Sequence, residues 1–211
     1  MEEGATLWAW KSWALLTAVR SQSPLIQCIT NFVSMDLMAN TLLSAGASPA
    51  LLHTLEEIPD FTPQVHALCL NVGTLSADWL PAMKLAAELA QSPPTVIRGN
   101  ASEIIALANA SVGLTKGVDS SHESHRCSGI GKVIGSSQWM FSHCLIAAFV
   151  AVDQAHALEA TAAALSLFGI AGEMGMKLAN GPASLRMHLI DSLHGLDEVC
   201  VLSHVKIASL S

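Results

Sequence analysis

The chain has 211 residues, enough for one domain with a sizeable core; 51% are hydrophobic and only 13% are charged. With a mean hydropathy of +0.46, either its helices are covered on several sides or apolar surface meets another subunit. A net charge of -7 without any Lys/Arg-rich block excludes general nucleic-acid binding.

The longest uninterrupted apolar run, Cys144 to Val152, is too short to cross a bilayer. Ala155 to Gly172 carries His156, Glu159 and Ser166 and reads as a packed helix, so no membrane partner is expected. Met1-Glu2-Glu3 has the wrong sign for a secretory or transit peptide. Cys28, Cys69, Cys127, Cys144 and Cys200 lack metal-ligand spacing and read as reduced thiols, mostly core filler, in a cytoplasmic protein.

In chain order, Thr6 to Val19 has helical spacing, with Trp8, Trp10, Trp13, Leu16 and Val19 as apolar positions. Leu25 to Thr30 is a strand. Asn31 follows, then a helix from about Ser34 to Ser44 ended by Gly46. Pro49 to His53 is a second strand, Leu55 to Ile58 a short helical turn, and Pro59 to Pro63 a loop. Ala67 to Asn71 is a third strand, after which Ser76 caps a helix reaching about Gln91. Thr95 to Ile97 reads as a short buried strand, with a turn at Gly99 and a helix opening at Asn100. Residues 111 to 139 are irregular, and three helices follow: Gln138 to Val152, Ala155 to Lys177 and Pro182 to Leu193.

Apolar, non-alternating strands that alternate with helices predict a single α/β domain over 1–211, with a mostly parallel central sheet covered on both faces. Polar residues gather at the predicted strand ends: Thr30-Asn31, His53, Asn71 to Thr74 and Arg98 to Asn100. That places a pocket at the carboxyl edge of the sheet. Arg98, Asn100 and Glu103 bring a cation, an amide and a carboxylate to one strand-to-helix mouth, which suits a nucleotide phosphate and its magnesium. The simpler reading of Asn100 and Glu103 is a capping box.

Four motifs then stand in a familiar order: Gln27-Cys28-Ile29-Thr30-Asn31, Ala45-Gly46-Ala47-Ser48-Pro49, Asn71-Val72-Gly73-Thr74-Leu75 and Arg98-Gly99-Asn100-Ala101-Ser102-Glu103. Together they resemble hydroxyethylthiazole kinase, and Gly181-Pro182-Ala183-Ser184-Leu185-Arg186 looks like the plant branch of that family. The resemblance implies a ribokinase-like fold and a homotrimer with active sites between subunits. It also implies magnesium-dependent transfer of the ATP γ-phosphate to 4-methyl-5-(2-hydroxyethyl)thiazole, a salvage step of thiamine biosynthesis. By position, Arg98 and Asn100 fall in the ATP-binding motif and Glu103 on the glutamate beside the magnesium. Asn31 lies in the stretch lining the thiazole pocket. Leu51 stands where the family usually has a thiazole-contacting methionine, a volume-conserving swap.

The chain also departs from the family. Gln91-Ser92-Pro93-Pro94 runs straight into the arginine strand, leaving the magnesium-binding aspartate without a counterpart. Residues 125 to 139 match no family segment. Trp139 and Met140 take the Gly-Cys positions of the phosphate-binding turn, and Cys144 comes one helical turn later, so no catalytic residue is assigned. These departures set an alternative expectation: an inactive truncated or mis-spliced paralogue that binds thiazole or co-assembles with active subunits.

Overall fold

The structure is a computed structural model and describes residues 2–71, 77–90, 95–97 and 142–207. The chain divides into two compact units, Met1–Gln91 with Phe141–Ser211, and Ser92–Met140. The elements below belong to the first.

Helix α1 (Glu2–Gln22) extends beyond its predicted span at both ends. Its core stripe is Ala9, Ser12, Leu15, Leu16 and Val19, a spacing of three and four residues. The tryptophans expected on that stripe stand off it: Trp10 is exposed, Trp8 lies under Lys11 and Trp13 under Arg20. Strand β1 (Leu25–Ile29) leads through Thr30 into α2 (Phe32–Ala45), which starts two residues earlier than predicted because Asn31 is its N-cap. Gly46 ends α2 at φ 90, a left-handed conformation that glycine adopts without cost.

Strand β2 (Ser48–Ala50) is shorter than the predicted Pro49–His53. It stops because the next segment is held by a side chain: Gln27 Nε2, in β1, donates to the Leu52 carbonyl at 3.2 Å. The predicted loop at 59–63 is helical, forming α3 (Ile58–Phe61) and a 3-10 turn at Thr62–Gln64. Pro59 and Pro63 sit in first turns, where no amide hydrogen is needed. Strand β3 (Ala67–Leu70) follows, then α4 (Leu80–Leu89), which opens after Trp79 with Pro81 in its first turn. Ser76 lies outside the described residues.

Thr95–Ile97 do not form the predicted buried strand: they are irregular and exposed, Val96 by 38% and Ile97 by 45%. Their β-branched side chains favour extension only on a half-buried, paired surface. Beyond them come α5 (Ser142–Val152), a 3-10 turn at Gln154–His156, α6 (Ala157–Leu178), α7 (Pro182–His194) and α8 (Glu198–His204). The last has no counterpart among the predicted elements; Asp197 caps it, accepting from the Cys200 amide at 2.8 Å.

Among the described residues the strands form one three-stranded sheet of order β2-β1-β3, parallel throughout, with Gln27 opposite Ala50 and Cys28 opposite Cys69. Helices cover both faces, as expected. On one, Ile29 packs with Ile58, Ala82, Met83 and Ala86 from α3 and α4. On the other, α5 lies against β1 and β3 and touches α2, where Cys144 Sγ is 3.6 Å from the Met38 carbonyl. Buried Gln27 ties the first face together, since its Oε1 also accepts from Thr62 Oγ1 at 2.8 Å.

The segment Gln154–Leu178 is long and apolar enough to cross a membrane by length and composition alone. In the fold one side of it is packed, with Ala160, Ala163, Ala164, Leu167, Phe168 and Ala171 buried and α1, α5 and α7 against it, while Leu158, Met176 and Leu178 are exposed. Its contact with α7 is close: a Cβ on Gly175 would meet the Leu189 amide nitrogen at 2.8 Å.

Candidate functional site

The carboxyl ends of β1 and β3 are joined by side chains. Asn31, in extended conformation, turns its Oδ1 into the first turn of α2, where it accepts from the Ser34 amide at 3.0 Å and the Ser34 hydroxyl at 2.9 Å. Ser34 Oγ stands 2.6 Å from Thr30 Oγ1. From the end of β3, Asn71 Nδ2 donates to Thr30 Oγ1 at 2.9 Å and to Ser34 Oγ at 3.2 Å. The Asn71 amide donates to the Ile29 carbonyl at 3.0 Å, carrying the ladder one residue past the strand.

Thr30, Asn31 and Ser34 are buried and Asn71 is half-buried, so the hydrogen bonds are necessary: a buried polar group left unsatisfied costs about 1–3 kcal/mol. A satisfied network of this kind holds each member in one orientation. With its oxygen committed to Ser34, the Asn31 amide has its NH2 as the donor side.

Half-buried Leu51 follows β2 at the same edge of the sheet, and its carbonyl oxygen lies 3.3 Å from His53 Nδ1. Beside it is an aromatic group: the Trp79 ring is 4.9 Å from that of His53 and 4.7 Å from that of Phe32. Asn31 and Leu51, the two residues predicted to hold substrate, therefore stand at the carboxyl edge of adjacent strands. Arg98, Asn100 and Glu103 lie outside the described residues, as do Val72 to Thr74, Trp139 and Met140.

Sequence reading did not single out Ser34 or Trp79. Ser34 sits three residues after Asn31, the spacing of an N-cap and its N3 partner, and that spacing was the available signal.

Cys144 is fully buried in α5, and burial, with Cys69 nearby, pushes its thiol well above the usual range. A neutral, enclosed thiol is core filler, as expected, and not a nucleophile. Among the described residues no group of three or more His, Cys, Asp and Glu side chains is placed to hold a metal ion.

A parallel α/β sheet with a polar network and apolar residues at its carboxyl edge has the ligand-binding layout of open α/β proteins. A sequence model of the hydroxyethylthiazole kinase family matches residues 16–95. Hydroxyethylthiazole kinase of Arabidopsis thaliana is 49% identical, the alignment covering 96% of each chain, and that of Zea mays is 43% identical over 98% of this chain and 96% of its own. Among solved structures, a hydroxyethylthiazole kinase protein from Pyrococcus horikoshii OT3 superimposes with a TM-score of 0.75 at 26% identity, covering 95% of this chain and 99% of that one. The chain belongs to the hydroxyethylthiazole kinase family. The Arabidopsis alignment runs over 266 positions against a chain of 211 residues, so at least 55 of those positions have no residue here.

Proposed function

We propose that the chain phosphorylates 4-methyl-5-(2-hydroxyethyl)thiazole with ATP, a salvage step of thiamine biosynthesis, and that Asn31 and Leu51 hold the acceptor. The observation that carries this is the network of Asn31, Ser34, Thr30 and Asn71, which builds a rigid polar floor at the carboxyl edge before any ligand arrives. Thiazole nitrogen and substrate hydroxyl are acceptors that an amide NH2 can orient, and half-buried Leu51 offers apolar surface to the methylthiazole ring. Phosphoryl transfer depends chiefly on position and charge neutralisation, so a fixed amide contributes by holding the attacking oxygen in line.

On the donor side, Arg98 and Asn100 take the ATP phosphates and Glu103 the magnesium, by their place in the family motif. Glu103 would supply a carboxylate oxygen to a magnesium ion held mainly by the ATP phosphates. A cytoplasmic homotrimer belongs to the same proposal; the support for the oligomer is the apolar composition of 51% and the exposed Val33 and Leu43 of α2.

The test is the purified chain with magnesium-ATP and the thiazole alcohol, followed by phosphorus NMR. The expected result is a phosphate monoester whose formation requires both the thiazole alcohol and ATP. A chain that binds the alcohol yet forms no ester would overturn the proposal and leave an inactive chain that binds thiazole.

A further inference from the structure

Each strand of the sheet sends one ring from its carboxyl-end connection to a common place. Phe32 follows β1, His53 follows β2, and Trp79 closes the connection between β3 and α4. Trp79 is the centre: its ring plane is tilted by 59° to Phe32 and by 56° to His53, at centroid distances of 4.7 and 4.9 Å. Three connections that could diverge are thus gathered around one indole.

The position of Phe32 is informative. Its ring is 79% exposed, so it forgoes most of the stabilisation that burying an aromatic side chain would bring. It stands one residue from Asn31, and His53 lies two residues from Leu51 and beside its carbonyl. Two of the three rings thus belong to the same carboxyl-end connections as the two residues proposed to hold the acceptor. Partly exposed, tilted rings offer faces and edges suited to a flat heteroaromatic ring, and little that is specific to an aliphatic one.

We propose that Trp79, braced by Phe32 and His53, is the specificity-determining wall of the acceptor site and selects a heteroaromatic alcohol over an aliphatic alcohol of the same size. This rests on the acceptor reading above. Trp79 makes no contact with the transferred group; it positions the ring that carries the hydroxyl.

The test is equilibrium binding by calorimetry on the full chain without nucleotide. The probes are 4-methyl-5-(2-hydroxyethyl)thiazole and 2-cyclopentylethanol, which replaces the heteroaromatic ring by a saturated one. Wild type prefers the thiazole. Trp79→Leu reduces that preference about three- to tenfold, the worth of one aromatic contact, whereas Trp79→Phe keeps most of it. Should Trp79→Leu fail to fold, Phe32→Leu serves, since it removes an exposed ring; it lowers the preference about two- to threefold.

If wild type prefers the thiazole and these variants keep the same ratio, the aromatic wall is overturned and the acceptor site stands. Equal loss of both probes with an altered elution volume makes Trp79 a subunit-contact residue and also overturns the wall. If wild type binds neither probe, the acceptor reading fails and takes this inference with it.

Discussion

Asn71 Nδ2 donates to Thr30 Oγ1 at 2.9 Å, a side-chain bond that fastens the carboxyl end of β3 to that of β1. Its two residues are far apart in the chain and belong to two of the four stretches, 27–31 and 71–75, that resemble the family. A double-mutant cycle with Asn71→Ala and Thr30→Val, read by urea denaturation, should give a coupling energy of about 1 kcal/mol, within the range for groups in one network. Additive effects would mean that the bond contributes nothing to the fold.

The two roles of Asn31 can be separated. Asn31→Ala removes the cap of α2 and should cost about 0.5–2 kcal/mol of stability. Asn31→Asp keeps an oxygen toward the Ser34 amide, at a helix end that favours negative charge, but loses the NH2 donor. Its stability should lie within about 1 kcal/mol of wild type, while the KM for the thiazole alcohol rises about tenfold, the effect of losing one well-made hydrogen bond. Parallel denaturation and steady-state kinetics read the two effects.

Two glycines of α6 should respond in opposite senses. A Cβ on Gly175 would meet the backbone of α7 at 2.8 Å, so Gly175→Ala forces the helices apart and should cost about 1–3 kcal/mol. A Cβ on Gly169 meets nothing within 4 Å, so Gly169→Ala gains helix propensity, about 0.5–1 kcal/mol. For a chain of this size each kcal/mol moves Tm by about 2–4 °C, readable by thermal unfolding.

Much of this fold was legible because the signals were local. Asn31 and Gly46 bracket α2, an apolar stretch broken only by Gln27 marks β1, and continuous apolar runs mark β3 and most of α5. What escaped depended on context. Pro59 reads as a breaker until the chain is seen to start a helix there, and Thr95–Ile97 carry strand letters although they lie exposed. Of the proposed site, Asn31 and Leu51 were named from motif resemblance, and the structure gives their place after β1 and β2. The gathering of Phe32, His53 and Trp79 was not, because no residue spacing encodes which connections meet.

The buried thiols make stability depend on pH in the alkaline range. Cys28 is pushed well up by its hydrogen bond with Cys69, by burial and by nearby Cys69 and Cys144; Cys144 is pushed up chiefly by burial. The folded chain keeps these protons where the unfolded chain has released them. Their contribution is complete below the ordinary thiol pKa, about 8.5, and is lost as pH rises beyond it, by up to about 1.4 kcal/mol per pH unit for each thiol. Cys144→Ala should make the fall between pH 9 and 10 shallower. Because that thiol is enclosed in the core, the same variant should leave phosphorylation of the thiazole alcohol unchanged.

The most direct test of the acceptor site is a titration of the labelled chain with 4-methyl-5-(2-hydroxyethyl)thiazole, followed through the side-chain amide resonances of Asn31 and Asn71. Saturable shifts in both, weakened in Trp79→Leu, are the predicted result. Shifts confined to the groove between α2 and α7 around Asn40 and Arg186, with Asn31 and Asn71 unmoved, would contradict it.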